Sequence, residues 1–392
     1  MKIGINASFC RKPNSGIGQV SLCFLRKLIE IEKEAGNKKQ KNNLEFILYL
    51  EEDLPKDFNL PKNFQKKIFL PIYRRDDLIR KIWREKYLLP RKIKKDGCDV
   101  FFSLYQCPTI LKNIKHIMLA HDIVPSLFPE YLDNARKKYY QKLTEKAISR
   151  ADKILAISRR TEKDLIQHLQ IPADKISVNY IDVDEIYKKP VSAESNKKIL
   201  KKYKLSSGYI FAGGGMEIRK NIDGVIRAYK MLCERNKNLH FIEMMPKLVI
   251  YGKLLPNLSL AVDAEKIVKE LNLTKQVQFL GAVPQEDLPA LFRNALFFIY
   301  PSHYEGFGLP VLEAMNEGTP VITAKNSSLP EVGLDSVLYC NSDDTKEISI
   351  VMKKVLTNKN LRETLSRRGV EHAKFFSWDK FAGKVLNVMS EL

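Results

Sequence analysis

At 392 residues the chain exceeds one ordinary domain and suits two, and its 44% hydrophobic content is enough for ordinary buried cores. The formal net charge of +20 attracts polyanions, so nucleic acid, anionic lipid headgroups and phosphorylated substrates are all candidates among which charge alone does not choose, and a Lys- and Asn-rich composition set by genome base bias is the plainer account. The longest apolar runs, such as Ala295–Tyr300, are strand-length and exclude a membrane span.

Met1-Lys2-Ile3-Gly4-Ile5-Asn6 enters a strand pattern at once, without the basic start, apolar middle and small-residue cleavage site of a signal peptide. A cytoplasmic protein is expected. Short β-branched runs then alternate with longer amphipathic stretches, the pattern of βα units and a parallel sheet. Lys2–Asn6, Leu44–Leu50, Lys67–Ile72, Val100–Ser103, Lys115–Ala120 and Lys153–Ile157 read as strands, with a polar loop at Gly36–Asn43. The pattern fades over Ile181–Ser195 and restarts with strands at Tyr209–Ala212, Lys247–Tyr251, Val277–Leu280, Leu296–Tyr300 and Pro320–Thr323. The expected organisation is a Rossmann-like domain over 1–183, a linker over 184–200, a second Rossmann-like domain over 201–373 and a terminal helix over 374–392. Two such halves imply a cleft between them, where ligands commonly bind.

The first motif is Asn14-Ser15-Gly16-Ile17-Gly18-Gln19, after the first strand. A glycine turn running into a helix leaves N–H groups open to phosphate, and it serves equally where the backbone needs glycine for steric reasons. The second is Ala212-Gly213-Gly214-Gly215-Met216-Glu217-Ile218-Arg219-Lys220-Asn221, where glycines again open the backbone and two cations can neutralise a pyrophosphate. Two solvated bases at a helix start is the plainer alternative. The third follows the strand Leu296–Tyr300: Pro301-Ser302-His303-Tyr304-Glu305-Gly306-Phe307-Gly308-Leu309-Pro310-Val311-Leu312-Glu313-Ala314-Met315. Pro310 suits a helix start, and Gly318 with Pro320 a helix end. This places Glu305 in the loop and Glu313 in the first helical turn. The loop N–H groups and the helix start form an anion site, and a carboxylate on each side can grip hydroxyls of a ribose and a hexose.

Glu305-Gly306-Phe307-Gly308-Leu309-Pro310 with Glu313-Ala314-Met315 resembles the signature of the family 4 retaining glycosyltransferases of the GT-B fold. The resemblance extends along the chain. His121-Asp122 after a strand looks like that family's N-domain His-Asp motif. Ile157-Ser158 with Thr161-Glu162-Lys163-Asp164-Leu165 looks like its strand-to-helix serine segment. Asn179–Asp184 resembles its linker entry, and Phe376-Ser377-Trp378 the start of a last helix that in the family crosses back onto the N-domain. The fold implied is α/β: two Rossmann-like domains with parallel sheets facing across a cleft, acceptor side first and nucleotide-sugar side second.

The resemblance also implies roles. Glu313 would hold the ribose and Glu305 the donor sugar; backbone groups of Phe307, Gly308 and Leu309 would face the sugar and distal phosphate. Arg219 and Lys220 would bind the pyrophosphate, with Gly16 from the opposite domain. His121 would lie beside the donor sugar, and Val283 would fall where the backbone reads the base. One departure stands out: many members carry a second phosphate-binding arginine where this chain has Gly213-Gly214-Gly215.

Other signals are weaker. Asp182-Val183-Asp184 imitates a metal-binding Asp-x-Asp but falls in the linker, so no metal is expected. Cys10, Cys23, Cys98, Cys107, Cys233 and Cys340 form no metal or disulfide pattern and read as reduced, mostly buried thiols. His303, His116, His168, His240 and His372 lack partners at ligand spacing. Asp76–Lys95 gathers Arg80, Lys81, Arg84, Lys86, Arg91, Lys92, Lys94 and Lys95 around Ile79, Ile82, Trp83 and Leu88. It reads either as a surface that lies on an anionic membrane or as a helix with its apolar face in the core.

The expected activity is retaining transfer of a hexose from a nucleotide sugar to a glycan or lipid-pyrophosphate-linked acceptor in surface polysaccharide synthesis. Glu217-Ile218-Arg219-Lys220-Asn221 and His121–Pro125 look most like mannosyltransferases, which favours GDP-mannose without a cofactor. UDP-glucosyl or UDP-N-acetylglucosaminyl transfer, a GT-B epimerase and a non-catalytic polyanion-binding protein are the alternatives. No nucleic-acid-binding motif accompanies the charge, and a peripheral place at the inner membrane face fits it.

Overall fold

The computed structural model describes residues 1–37, 44–70, 77–234, 245–253 and 260–392. Most of the expected polar loop Gly36–Asn43, the end of the expected strand Lys67–Ile72, Asp76 and His240 lie outside them. The chain divides into two compact units, Met1–Asp182 with Phe376–Leu392, and Val183–Phe375.

The first unit is built on a parallel sheet of β1 (Lys2–Asn6), β2 (Glu45–Leu50), β3 (Phe64–Ile68), β4 (Val100–Ser103), β5 (Lys115–Ala120), β6 (Lys153–Ala156) and β7 (Ile176–Val178). Its order is β3-β2-β1-β4-β5-β6-β7. Inner strands such as Glu45–Leu50 and Val100–Ser103 are buried along nearly their whole length, as a parallel sheet covered on both faces requires. β3 begins earlier than the apolar run Ile68-Phe69-Leu70 suggested. Its register is set by Phe64 opposite Phe46, whose rings stack 4.6 Å apart, and pairing ends at Ile68. Its exposed Lys66 is suited to an edge. β7 has only three residues, too few to register as a periodic pattern.

The helix Trp378–Ser390 belongs to this same unit, beside the helix Gly16–Asn37. Phe381 meets Phe24 edge-on at 5.7 Å, and Lys27 pairs with Asp379 at 3.1 Å. Asn179 donates to the Phe381 carbonyl at 3.1 Å.

The second unit contains β8 (Tyr209–Gly213), β9 (Leu248–Tyr251), β10 (Val277–Gly281), β11 (Ala295–Tyr300), β12 (Val321–Ala324) and the short β13 (Leu338–Cys340). The parallel order is β10-β9-β8-β11-β12-β13. The stretch expected as a linker is largely folded and lies within this unit: a 3-10 turn Glu185–Tyr187, then the helix Ala193–Lys202 capped by Ser192. Lys202 and Tyr203 bind the Asp287 carboxylate at 2.5 and 2.7 Å, so this segment is anchored to the region after β10.

In each sheet the chain runs outward in opposite directions from one strand, β1 in the first and β8 in the second. Such a switch point leaves a crevice beyond the carboxyl ends of the strands, and in α/β sheets ligands bind there. The glycine turns after β1 and β8 both stand at these ends. In the first turn the sterically obligatory glycine is Gly18, where a Cβ would lie 1.9 Å from the Lys12 carbonyl oxygen; nothing lies within 4 Å of a Cβ at Gly16. Gly18→Ala should therefore cost about 1–3 kcal/mol of stability in urea unfolding. Gly16→Ala should stay within about 0.5 kcal/mol of the parent.

Candidate active site

The loop after β11 is fixed before any ligand is considered. Gly308 caps the helix Leu309–Asn316 at φ 107°, a conformation that glycine allows, and a Cβ there would meet Leu329 at 2.8 Å. The Ser328 hydroxyl bridges the Glu305 and Phe307 carbonyls at 2.9 and 2.8 Å, while Ser327 accepts from the Glu305 amide at 3.1 Å. The second glycine motif is bound to this loop. Asn221, at φ 57°, donates to the carbonyls of Pro301 and Ser342 at 3.1 and 2.7 Å. The His303 amide donates to the Arg219 carbonyl at 2.8 Å. Two segments some 80 residues apart thus form one rigid platform.

Its centre is a buried charge cluster. Lys220 donates to both Glu305 oxygens at 2.7 and 3.0 Å and to the Tyr300 oxygen at 2.6 Å. Tyr300 donates to Glu305 Oε1 at 2.7 Å, and the Ser302 hydroxyl lies equally close to it. Arg219 donates from Nη1 to Glu305 Oε2 at 3.2 Å and to the Tyr304 carbonyl at 3.0 Å, and from Nε to Glu217 at 2.7 Å. Burial alone would raise the Glu305 carboxyl, but the charges of Lys220 and Arg219 overcome it and hold the pKa at about 2. The two cations expected to meet a pyrophosphate are therefore already organised by the carboxylate expected to meet the sugar. Their charges are matched by Glu217 and Glu305, so extra positive potential for an anion must come from the glycine-turn amides and the start of the helix Leu309–Asn316.

Glu313 stands elsewhere than the sequence suggested. It is the fifth residue of its helix, beyond the first turn, because the helix begins at Leu309. It is also buried, and burial raises its pKa to about 8 against a hydrogen bond from Tyr187, with the charge of Asp184 adding to the rise. A carboxyl in this state is a neutral hydrogen-bonding group near pH 7.

Phe307 and Gly308 are buried in the loop and Leu309 opens the helix, beside the Glu305 cluster. Val283 is half-buried between β10 and the 3-10 turn Gln285–Asp287. His121 and Gly16 belong to the first unit. His121 is buried, with Nε2 2.8 Å from the Leu104 carbonyl, and its burial lowers its pKa, so the ring is neutral at pH 7. Asp122 caps the Val124 amide at 2.9 Å, a local role. All six cysteines are buried and in no disulfide. Among the described residues no group of three or more His, Cys, Asp or Glu side chains is placed to hold a metal ion. Asp184 instead caps the Ile186 amide.

Sequence reading missed the supporting side chains Tyr300, Ser302 and Tyr187, since a tyrosine ending a strand carries no local signature. It also missed a buried group in the first unit, where Glu85 accepts from Tyr105 and Tyr140 and Arg84 donates to Asn6. Arg84 and Glu85 open a π-helical turn, Arg84–Leu88, inside the basic stretch. A π-turn adds a residue to the helical repeat, so an α-helical count assigns the faces wrongly. Trp83, counted with the apolar face, is 53% exposed.

A buried carboxylate held by two cations thus stands beside a glycine-opened helix start, at the switch point of a parallel sheet. The model for glycosyl transferases group 1 matches residues 194–372, and that for Glycosyltransferase Family 4 matches residues 45–185. O-antigen chain mannosyltransferase B of Escherichia coli is 30% identical over 392 residues, 99% of each chain. O-antigen chain mannosyltransferase RfbU of Salmonella typhimurium is 25% identical over 366 residues, 93% of this chain and 92% of that protein. Among solved structures, sucrose-phosphate synthase of Thermosynechococcus elongatus superposes with a TM-score of 0.74 at 17% identity, over 100% of this chain and 98% of the other. Anabaena HepE in complex with UDP and glucose gives 0.73 at 16% identity over 100% of both chains. The chain belongs to the family 4 glycosyltransferases, with the GT-B fold of two Rossmann-like units.

The two glutamates should leave opposite marks on stability. The raised pKa of Glu313 contributes stability below its ordinary value and loses it as pH climbs to about 8. Glu305, held at about 2, contributes above its ordinary value and loses it only as pH falls toward that figure. Compared with Glu313→Gln, the parent should therefore lose stability steadily from pH about 4.5 to about 8 in thermal unfolding. A difference independent of pH would contradict this.

Proposed function

We propose that this glycosyltransferase moves mannose, with retention, from GDP-mannose to a glycan or lipid-pyrophosphate-linked acceptor in surface polysaccharide synthesis, without a divalent metal. The observation that carries the reading is the Glu305–Lys220–Arg219 cluster beside the Glu313 helix. The similarity to O-antigen mannosyltransferases along the whole chain supports the choice of sugar and process. Glu313 takes the ribose and Val283 lies by the base. Arg219, Lys220 and the amides of Gly308 and Leu309 meet the diphosphate, whose charge grows as the glycosidic bond breaks. Phe307 borders the sugar. Glu305 fixes both cations and turns toward the sugar, so the donors are oriented before the donor arrives. The first unit, which carries His121 and Gly16, receives the acceptor. Attack comes from the face the nucleotide leaves, and the departing phosphate helps remove the acceptor proton.

These roles separate in kinetics. The ribose is unchanged along the reaction, so Glu313→Ala should raise KM and weaken GDP binding; losing hydrogen bonds to a charged group costs about 1.5–3 kcal/mol, or roughly tenfold to a hundredfold. Glu305→Gln removes a negative charge from the diphosphate's surroundings and should leave GDP affinity equal or stronger, while kcat falls. Calorimetric GDP titration with steady-state kinetics checks both. If Glu305→Gln lost GDP affinity as badly as Glu313→Ala, the sugar-side assignment would be wrong.

A peripheral place on an anionic membrane surface is supported by the first unit. Trp83, Tyr87 and Tyr139 are 53%, 38% and 47% exposed. Lys86 joins them, donating to Tyr139 at 2.7 Å and lying 5.0 Å from the Tyr87 ring. Exposed Arg91, Lys94, Lys95, Arg136, Lys138 and Lys142 lie on the same two helical segments. Aromatic rings at headgroup depth ringed by lysines suit such an interface. Sedimentation with anionic vesicles should fall steeply with salt and should weaken in Trp83→Ala; equal binding to neutral vesicles would refute the charge component.

A further inference from the structure

Tyr187 is 2% exposed, its ring packed against Phe292 at 6.3 Å, yet its hydroxyl meets polar groups on two other elements. One is the Glu313 carboxyl on the helix Leu309–Asn316. The other is Gln285, whose Oε1 accepts from Tyr187 at 3.0 Å and which begins the turn directly after Val283-Pro284. A phenol has one proton to donate. While it donates to Gln285, its oxygen can only accept from Glu313, which suits a protonated carboxyl. Once Glu313 is a carboxylate, it competes with Gln285 for the same proton.

We propose that Tyr187 is a positioning residue for nucleoside recognition: its shared hydroxyl aims the Glu313 carboxyl at a ribose cis-diol and links that carboxyl to the base-side loop at Val283–Gln285. The inference rests on the ribose role proposed for Glu313. Binding a diol turns Glu313 into an acceptor, its proton leaves to solvent, and the Tyr187 hydroxyl swings from Gln285 to the new carboxylate. Asp184 places a negative charge near Glu313 and opposes its ionisation, so a carboxylate formed there needs a donor, and Tyr187 and Tyr251 are hydroxyl-bearing side chains beside it. The cations Arg219 and Lys220 are engaged by Glu305, and Arg293 by Glu317 one turn further along the helix. Tyr187 is thus the group available to steady the ionised carboxyl from the protein side.

Tyr187→Phe keeps the packed ring and removes only the hydroxyl. Calorimetric titration of parent, Tyr187→Phe and Glu313→Gln with GDP and UDP and with their 2′,3′-dideoxy analogues gives the preference for the diol, using whichever base binds more tightly. The parent should prefer the ribonucleotide strongly and Glu313→Gln should lose that preference. Tyr187→Phe should lose about tenfold of it while binding the dideoxy analogue as the parent does. If Tyr187→Phe weakened both nucleotides equally, or kept the parental preference, Tyr187 would be packing alone and the proposal would fall while the Glu313 assignment stood. If the parent itself showed no preference for the diol, the ribose assignment would fall, and this proposal with it.

Discussion

The carboxylate of Glu305 sits out of water between a lysine and an arginine, and the rest of the second unit is arranged so that it can. An unpaired charge in that position would cost several kcal/mol, so Lys220, Tyr300 and Ser302 must all be in place around it. That requirement fixes where the glycine turn after β8 stands relative to the loop after β11. It explains why Asn221 accepts a left-handed backbone: its amide bridges the two segments only from there. The cost of the buried pair is a reason to retain it for orientation more than for stability.

The two glutamates of one short motif are chemically opposite for physical reasons. Glu305 has two cations within hydrogen-bonding distance and stays ionised far below neutral pH. Glu313, eight positions on in the sequence, is buried among neutral or negative neighbours and holds its proton to about pH 8. Environment, and not residue type, separates a permanent counter-ion from a carboxyl that is neutral near pH 7.

In the first unit the polar groups do different work. Arg84, Glu85, Tyr105 and Asn6 are buried at the carboxyl end of the central strands and hold a π-turned helix against them. That turn sends Arg84 and Glu85 inward and leaves Trp83 and Tyr87 outside, so one basic stretch supplies both a core and an aromatic surface.

The sequence by itself determined the parallel strands with long apolar runs, the glycine turns and the Glu305–Glu313 motif, because these depend on local periodicity and backbone conformation. β1, β4 and β5 lie at the expected residues for that reason. It could not find β7 or β13, each three residues long, whose place comes from pairing with a neighbour. Nor could it show that the stretch after Asp182 is folded, since the contacts that hold it, such as Lys202 with Asp287, span long separations. It named Arg219, Lys220, Glu305 and Glu313 but not their relations. Only the tertiary structure decided that Glu305 already engages both cations, that Glu313 is buried past the first turn, and that Tyr187 reaches it. Charge pairing and desolvation act through space between elements far apart in the chain, and no local pattern of residues records them.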